Sequence, residues 1–302
     1  MSPRILPSLA ALLFAATPFT AKPQTPPAPG RGIWFWQSPN SPFGSDAIVG
    51  NSAREDATLT QLKAWKITTL YGSYPAFTSV TALRAWNRKL TQAGITSLLL
   101  LSETAYLNPA NYPQLDAHIH RSFLDFNANT TPDERFAGLA LDIEPHIDPT
   151  WKTAPALQRR AALQRLLQLH QHIRSLIPAP AQFEATLPTW YSHLGGSIGW
   201  TNALDRDTWF TALASSCDRL SIMAFELNSP SAVLSHSEEE LALLHGHGRI
   251  ALRANLGHEW PNTAAFWAAT NTVERQIHAP IDIQSFAILA QDEADASSQQ
   301  KK

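Results

Sequence analysis

The chain alternates short apolar runs with amphipathic stretches from residue 32 almost to its end, and this alternation constrains the fold more than any single motif. Strand-like runs occupy 32–37, 67–74, 95–103, 136–145, 182–190, 218–226, 250–259 and 285–292. Between them lie helical patterns, among them 53–65, 79–93, 155–176 and 205–215. In the third of these, Leu157, Leu163, Leu166, Leu167, Leu169 and Ile173 make one helical stripe. Strands that alternate with helices build a parallel sheet with right-handed crossovers. Eight such strands predict an α/β fold, a single closed (β/α)8 TIM barrel, for which about 250 residues suffice. The barrel domain is read as 32–292, and the polar segment 293–302 as a disordered tail, which leaves the barrel without its eighth outer helix. A doubly wound open sheet is the rival architecture, but no GxGxxG or P-loop supports it.

Ahead of the barrel, residues 1–21 read as a signal peptide: Arg4, an apolar run through 9–16, then small residues before Lys22. That run is too short to span a bilayer. Residues 22–31 are a Pro-rich linker. The expectation is a secreted or periplasmic protein that leaves the membrane once the signal is removed. A net charge of -2 without a basic run argues against a nucleic-acid partner. Cys217 is the only cysteine, so no disulfide forms within the chain. Oligomeric state is not legible.

The stretch 136–146, FAGLALDIEPH, is where chemistry is expected. The strand period of two puts Asp142 and Glu144 on one face, above Ala140 and Gly138, while Leu139, Leu141 and Ile143 face outward. Pro145 ends the ladder. The carboxyl ends of barrel strands carry the active site. There the other strands bring Trp36, Gln37, Tyr71, Tyr74, Glu103, Thr189, Trp190, Tyr191, Phe225, Glu226, His258, Glu259, Trp260, Gln291 and Asp292. A ring of acids and aromatics suits a carbohydrate: carboxylates move protons, and flat rings stack on the apolar faces of sugars. Trp36, Tyr71, Glu103, Trp190, Tyr191, Phe225, Trp260 and Gln291 are therefore the candidate substrate contacts. Trp65, Trp86, Trp209 and Trp267 fall on helices and are assigned to the core, whereas Trp151 and Trp200 fall in loops with Trp190 and Trp260.

These residues resemble the chitinase-like family eighteen glycoside hydrolases. Their strand-four signature, D-G-x-D-x-D-x-E, stands here as A-G-L-A-L-D-I-E, matching at Gly138, Asp142 and Glu144 with Ala137 and Ala140 in place of two acids. Their strand-six M-x-Y-D is similar to Met223–Glu226, with Phe225 for Tyr and Glu226 for Asp. The resemblance implies a glycoside hydrolase with Glu144 as general acid and Asp142 as the residue that orients a substrate acetamido group. The departures remove a hydrogen-bond donor at Phe225 and two charges beside Asp142, which weighs against N-acetylated substrates.

Two other readings stay open. A retaining glycosidase would pair Glu144 with Glu259, their carboxyls about 5–5.5 Å apart; Glu226 is a third possible partner. A carbohydrate-binding barrel without catalysis would keep the aromatic rim alone. Arg253 has the parity to neutralise the strand-four acids, or to pair with Glu184 inside the barrel. No cofactor is expected. No metal is expected either, because His118/His120 and His170/His172 stand two apart on helices, where side chains do not face each other. His245/His247 precede strand seven, away from the active face. His146 and His193, just beyond strand ends, are candidates to touch substrate.

Overall fold

The computed structural model describes residues 30–299 and shows a closed barrel of eight parallel strands in sequential order. They are β1 (Arg31–Phe35), β2 (Ile67–Gly72), β3 (Thr96–Leu101), β4 (Gly138–Leu141), β5 (Gln182–Pro188), β6 (Arg219–Met223), β7 (Gly248–Leu252) and β8 (Asp282–Ile283). A helix follows each strand: α1 (Ser52–Ala64), α2 (Val80–Gln92), α3 (Tyr112–Ile119), α4 (Ala156–Leu176), α5 (Ala203–Ser216), α6 (Pro230–Leu243), α7 (Thr263–Ile277) and α8 (Phe286–Gln299). Local chemistry sets several helix starts. The side chains of Asn51, Ser79, Asn202, Ser229 and Asn262 each accept a hydrogen bond from a backbone N–H of the first turn. The expected signal peptide and most of the linker lie outside the described residues.

Two expectations about the last unit are corrected. The run at 285–292 is the start of α8, and β8 is the shorter pair Asp282–Ile283 just before it. Phe286, Leu289 and Ala290 are fully buried, and their spacing of three and four is helical. The barrel therefore has its eighth outer helix, built in part from residues assigned to the tail. Likewise β7 ends at Leu252, and 253–259 is the loop beyond it.

Side chains alternate as the parity argument requires. Leu139, Leu141 and Ile143 pack outward with Leu163, Leu166 and Leu167 of α4. Ala140 points inward with Trp34, Tyr71, Leu98, Leu100 and Ala251. Below that layer lies a polar one. The Tyr71 hydroxyl donates to Glu184 Oε2 at 2.7 Å and lies 3.3 Å from Asp282 Oδ1. Arg219 pairs with Glu184 at 3.2 Å, Arg249 with Asp282 at 3.4 Å, and Ser221 Oγ donates to Asp282 at 2.6 Å. Glu184 thus pairs with Arg219, its neighbour in the β5–β6 register, and not with Arg253.

Gly138 is needed where β4 meets β5. A Cβ there would stand 2.1 Å from the carbonyl oxygen of Gln182, against backbone that cannot move aside. Gly138→Ala is expected to destabilise the barrel by roughly 1–3 kcal/mol, read from urea or thermal unfolding. An unchanged midpoint would contradict this packing.

Candidate active site

Beyond β4 the chain continues inward at Asp142 and Glu144, then turns at Pro145 into a short 3-10 turn, Pro145–Ile147. Asp142 is packed by protein at the barrel rim and accepts a 2.7 Å hydrogen bond from Thr186 Oγ1 of β5. Its carboxyl is pushed up to about 7, first by burial and then by the negative charge of Glu144; the Thr186 bond and His146 oppose the shift. Glu144 Oε2 lies 3.0 Å from His146 Nε2. On the other side of the imidazole, Nδ1 lies 3.0 Å from the Tyr191 hydroxyl. Burial, then the charge of Glu144, raises the Tyr191 phenol well above its ordinary value, so it stays neutral.

Aromatic rings enclose this chain of groups. His146 meets Trp190, Tyr191 and Trp151 edge-on, with centroids 5.1, 5.9 and 6.4 Å away. Trp190 is half-buried, while Trp151, Tyr191 and Trp200 are buried. Trp200 is fastened by its Nε1–H to the Tyr191 carbonyl at 2.8 Å. Across the mouth, Trp36 and Phe225 lie on the inner layer, half-buried. Trp36 Nε1 donates to the Gln284 carbonyl at 3.1 Å, and the Arg253 guanidinium stands 5.5 Å over the Phe225 ring.

The other predicted residues are placed differently. Tyr71 is buried in the barrel interior with its hydroxyl in the lower polar layer, so it offers no face to a ligand. Trp260 is buried under α7 against Phe266 and donates to the Arg253 carbonyl at 2.9 Å. Gln291 is exposed on α8 and bonds Asp295, because the segment that carries it is helix. Glu259 is buried and engaged: Arg253 Nε donates to its Oε1 at 2.7 Å, and the Glu226 backbone N–H donates to the same oxygen at 3.0 Å. Glu226 itself is 85% exposed and stands 4.0 Å from Arg253. Arg253 therefore binds Glu259, and neither strand-four acid. Glu103 is exposed at the edge of a cleft of about 800 Å³, shared with Gln37, Tyr74, His118 and Arg121. A second groove, of about 620 Å³, begins at Pro145 and runs past Trp151, Asn108 and Arg165.

One residue of the site and one contact within it were not singled out from sequence. Thr186 shares inward parity with Glu184 on β5, a signal that could have named it. The link from His146 to Tyr191 joins loops 45 positions apart and had no sequence signal. Among the described residues, no cluster of three or more His, Cys, Asp or Glu side chains is arranged to hold a metal.

With this geometry in view, the chain can be set beside known proteins. No family model matches it, and no curated protein sequence does. Solved structures do match. A chitinase from Bacteroides thetaiotaomicron superposes with a TM-score of 0.54 at 9% identity, over 85% of this chain and 89% of that one. A fungal endo-β-N-acetylglucosaminidase from glycosyl hydrolase family 18 gives 0.51 at 10%, over 84% and 89%. The Bacillus cereus spore cortex-lytic enzyme SleL gives 0.48 at 10%, and this chain spans 60% of its length. The chain has the fold of the family eighteen chitinases and related barrel glycosidases. At these identities the likeness is one of fold.

Asp142 holds its proton from the ordinary carboxylate value of 3.8 up to about 7 when folded. Between those limits the folded state carries a proton that the unfolded state has released, so stability falls as pH rises through that window. Asp142→Asn keeps the acceptor for Thr186 and removes the titration. It is expected to stabilise the protein at pH 8 by about 2–4 kcal/mol, with the gain vanishing near pH 4. Thermal melts of both proteins across pH 4–8 check it; a gain independent of pH would contradict the assignment.

Proposed function

We propose that the protein is a secreted glycoside hydrolase acting on a poly- or oligosaccharide, with Glu144 as general acid assisted by Asp142. The observation that carries this reading is the arrangement at the β4 end: two inward carboxylates, one held part-protonated near neutral pH, with the half-buried Trp190 ring against His146. Paired carboxylates at a barrel mouth are the groups that protonation of a glycosidic oxygen requires. Glu144 would give its proton to that oxygen as the bond to the anomeric carbon breaks. Asp142, protonated beside it, can donate a hydrogen bond to a substrate group or to the reacting water. The sugar would stack on Trp190, with Trp36 and Phe225 across the mouth. The likeness of fold to glycosidases supports the reading, as does the match of Asp142 and Glu144 to the strand-four signature.

The Glu144/Glu259 pair loses support, because Glu259 is buried and bound by Arg253, which leaves it poorly placed to attack an anomeric carbon. A non-catalytic carbohydrate-binding barrel is the second reading. Phe225 favours it, since that ring packs under Arg253 where the family's tyrosine would supply a hydroxyl.

The test is hydrolysis of a panel of polysaccharides and chromogenic glycosides by the wild type and by Glu144→Gln. Wild-type turnover that falls about 10²–10⁴-fold in the variant is the expected result. Equal binding of a glycan by both proteins with no turnover by either would establish the binding reading instead.

A further inference from the structure

Resting on that reading for its catalytic consequence, we propose that His146 is the positioning residue of Glu144 and that Tyr191 fixes its tautomer. The geometry is a continuous hydrogen-bonded line: Tyr191 hydroxyl to His146 Nδ1 at 3.0 Å, and His146 Nε2 to Glu144 Oε2 at 3.0 Å. A neutral imidazole has one donor nitrogen and one acceptor, and the bond made by one nitrogen decides the role of the other. Tyr191 keeps its proton and donates it to Nδ1. His146 then carries hydrogen on Nε2 and donates to Glu144 Oε2. That oxygen is thereby occupied, the carboxyl plane is set, and Oε1 becomes the oxygen that delivers the proton. In the chemical step the Oε1 proton passes to the glycosidic oxygen while the bonding pair of the broken C–O bond stays with the leaving group. Glu144 is left as carboxylate, still held by the Nε2–H, until the water whose oxygen bonds to the anomeric carbon returns its proton to Oε1.

The surroundings fit a locked ring. Trp190, Tyr191 and Trp151 meet the imidazole edge-on, and Pro145 begins the 3-10 turn that carries it. Tyr191 is in turn held among Trp209, Trp190 and Trp151, 1% exposed. The ionisable groups acting around His146 are Glu144, Tyr191 and Asp142. Arg159 sits over the Trp151 ring with its guanidinium bound to three backbone carbonyls, and the Asp148 carboxylate is engaged by Thr150.

The first arm of the test needs no turnover. Nitrogen-15 spectra of the imidazole at pH 7.5 should show His146 as the Nε2–H tautomer, and Tyr191→Phe should lose that preference. A Nδ1–H tautomer in the wild type would overturn the proposal, whatever the protein hydrolyses. The second arm uses a substrate found with the wild type. His146→Ala should lower kcat about 10–100-fold with KM within about threefold. His146→Gln, which keeps an N–H donor, should restore most of kcat near pH 7. Equal loss in both variants would overturn it. If no substrate turns over, the glycosidase reading fails while the tautomer measurement still decides this one.

Discussion

Closure of the sheet decides where this protein can place a charge. Once eight parallel strands meet, every second side chain enters a space that must be filled in layers. On β4 the successive inward residues are Gly138, Ala140, Asp142 and Glu144. The first is compressed against the Gln182 carbonyl and the second lies under the Trp34 and Tyr71 rings. Only at the third does the interior meet the rim, so Asp142 is half-buried among protein groups yet remains next to the mouth. Its raised carboxyl value of about 7 follows from that position. A residue one step lower would need a compensating cation, and one step higher would be solvated.

The barrel in fact holds buried carboxylates in two places, and their compensation differs. In the lower layer Glu184 has Arg219, Asp282 has Arg249, and Tyr71 bridges the two acids. Such a closed set of charges and donors is costly to break and has a structural role. At the rim, the groups acting on Asp142 are Glu144, Thr186 and His146. The arginine with the parity to neutralise the acids, Arg253, is spent on Glu259. An acid left with another acid as its strongest charged neighbour is the arrangement that perturbs protonation at functional sites. The same ion pair holds Glu259 buried beside Arg253, away from the strand-four acids.

The architecture was legible because it rests on periodicity. Alternating apolar runs and amphipathic helices identify a barrel whatever the residues are, which is why 9% identity accompanies a TM-score of 0.54 over 85% of the chain. Parity on β4 likewise placed Asp142 and Glu144 correctly relative to Ala140. The misread last strand has a simple cause: an apolar run near the end of a chain does not reveal its period. The segment with Phe286 and Leu289 read as strand but folds as helix, and Gln291 went with it. Tyr71 was displaced by one pleat, since it sits one residue before the end of β2 and not beyond it. The bond between His146 and Tyr191 depends on two loops meeting in space, which no local pattern encodes.

Where this chain departs from the strand-four signature, the geometry shows what replaces the missing acid. Ala140 cannot exchange a proton with Asp142 from below, and Thr186 supplies a hydroxyl there that can donate but does not change charge. Asp142 thus has an uncharged donor on its inner side and, toward the mouth, a second carboxylate, Glu144, as its strongest charged neighbour. Glu144 in turn is bounded on its far side by His146. The rim therefore carries a row of three groups, Asp142, Glu144 and His146, which differs from a stack of three acids along one strand. Within that row Asp142 holds its proton up to about 7, so its charge, and with it the field at Glu144, changes as pH rises toward that value.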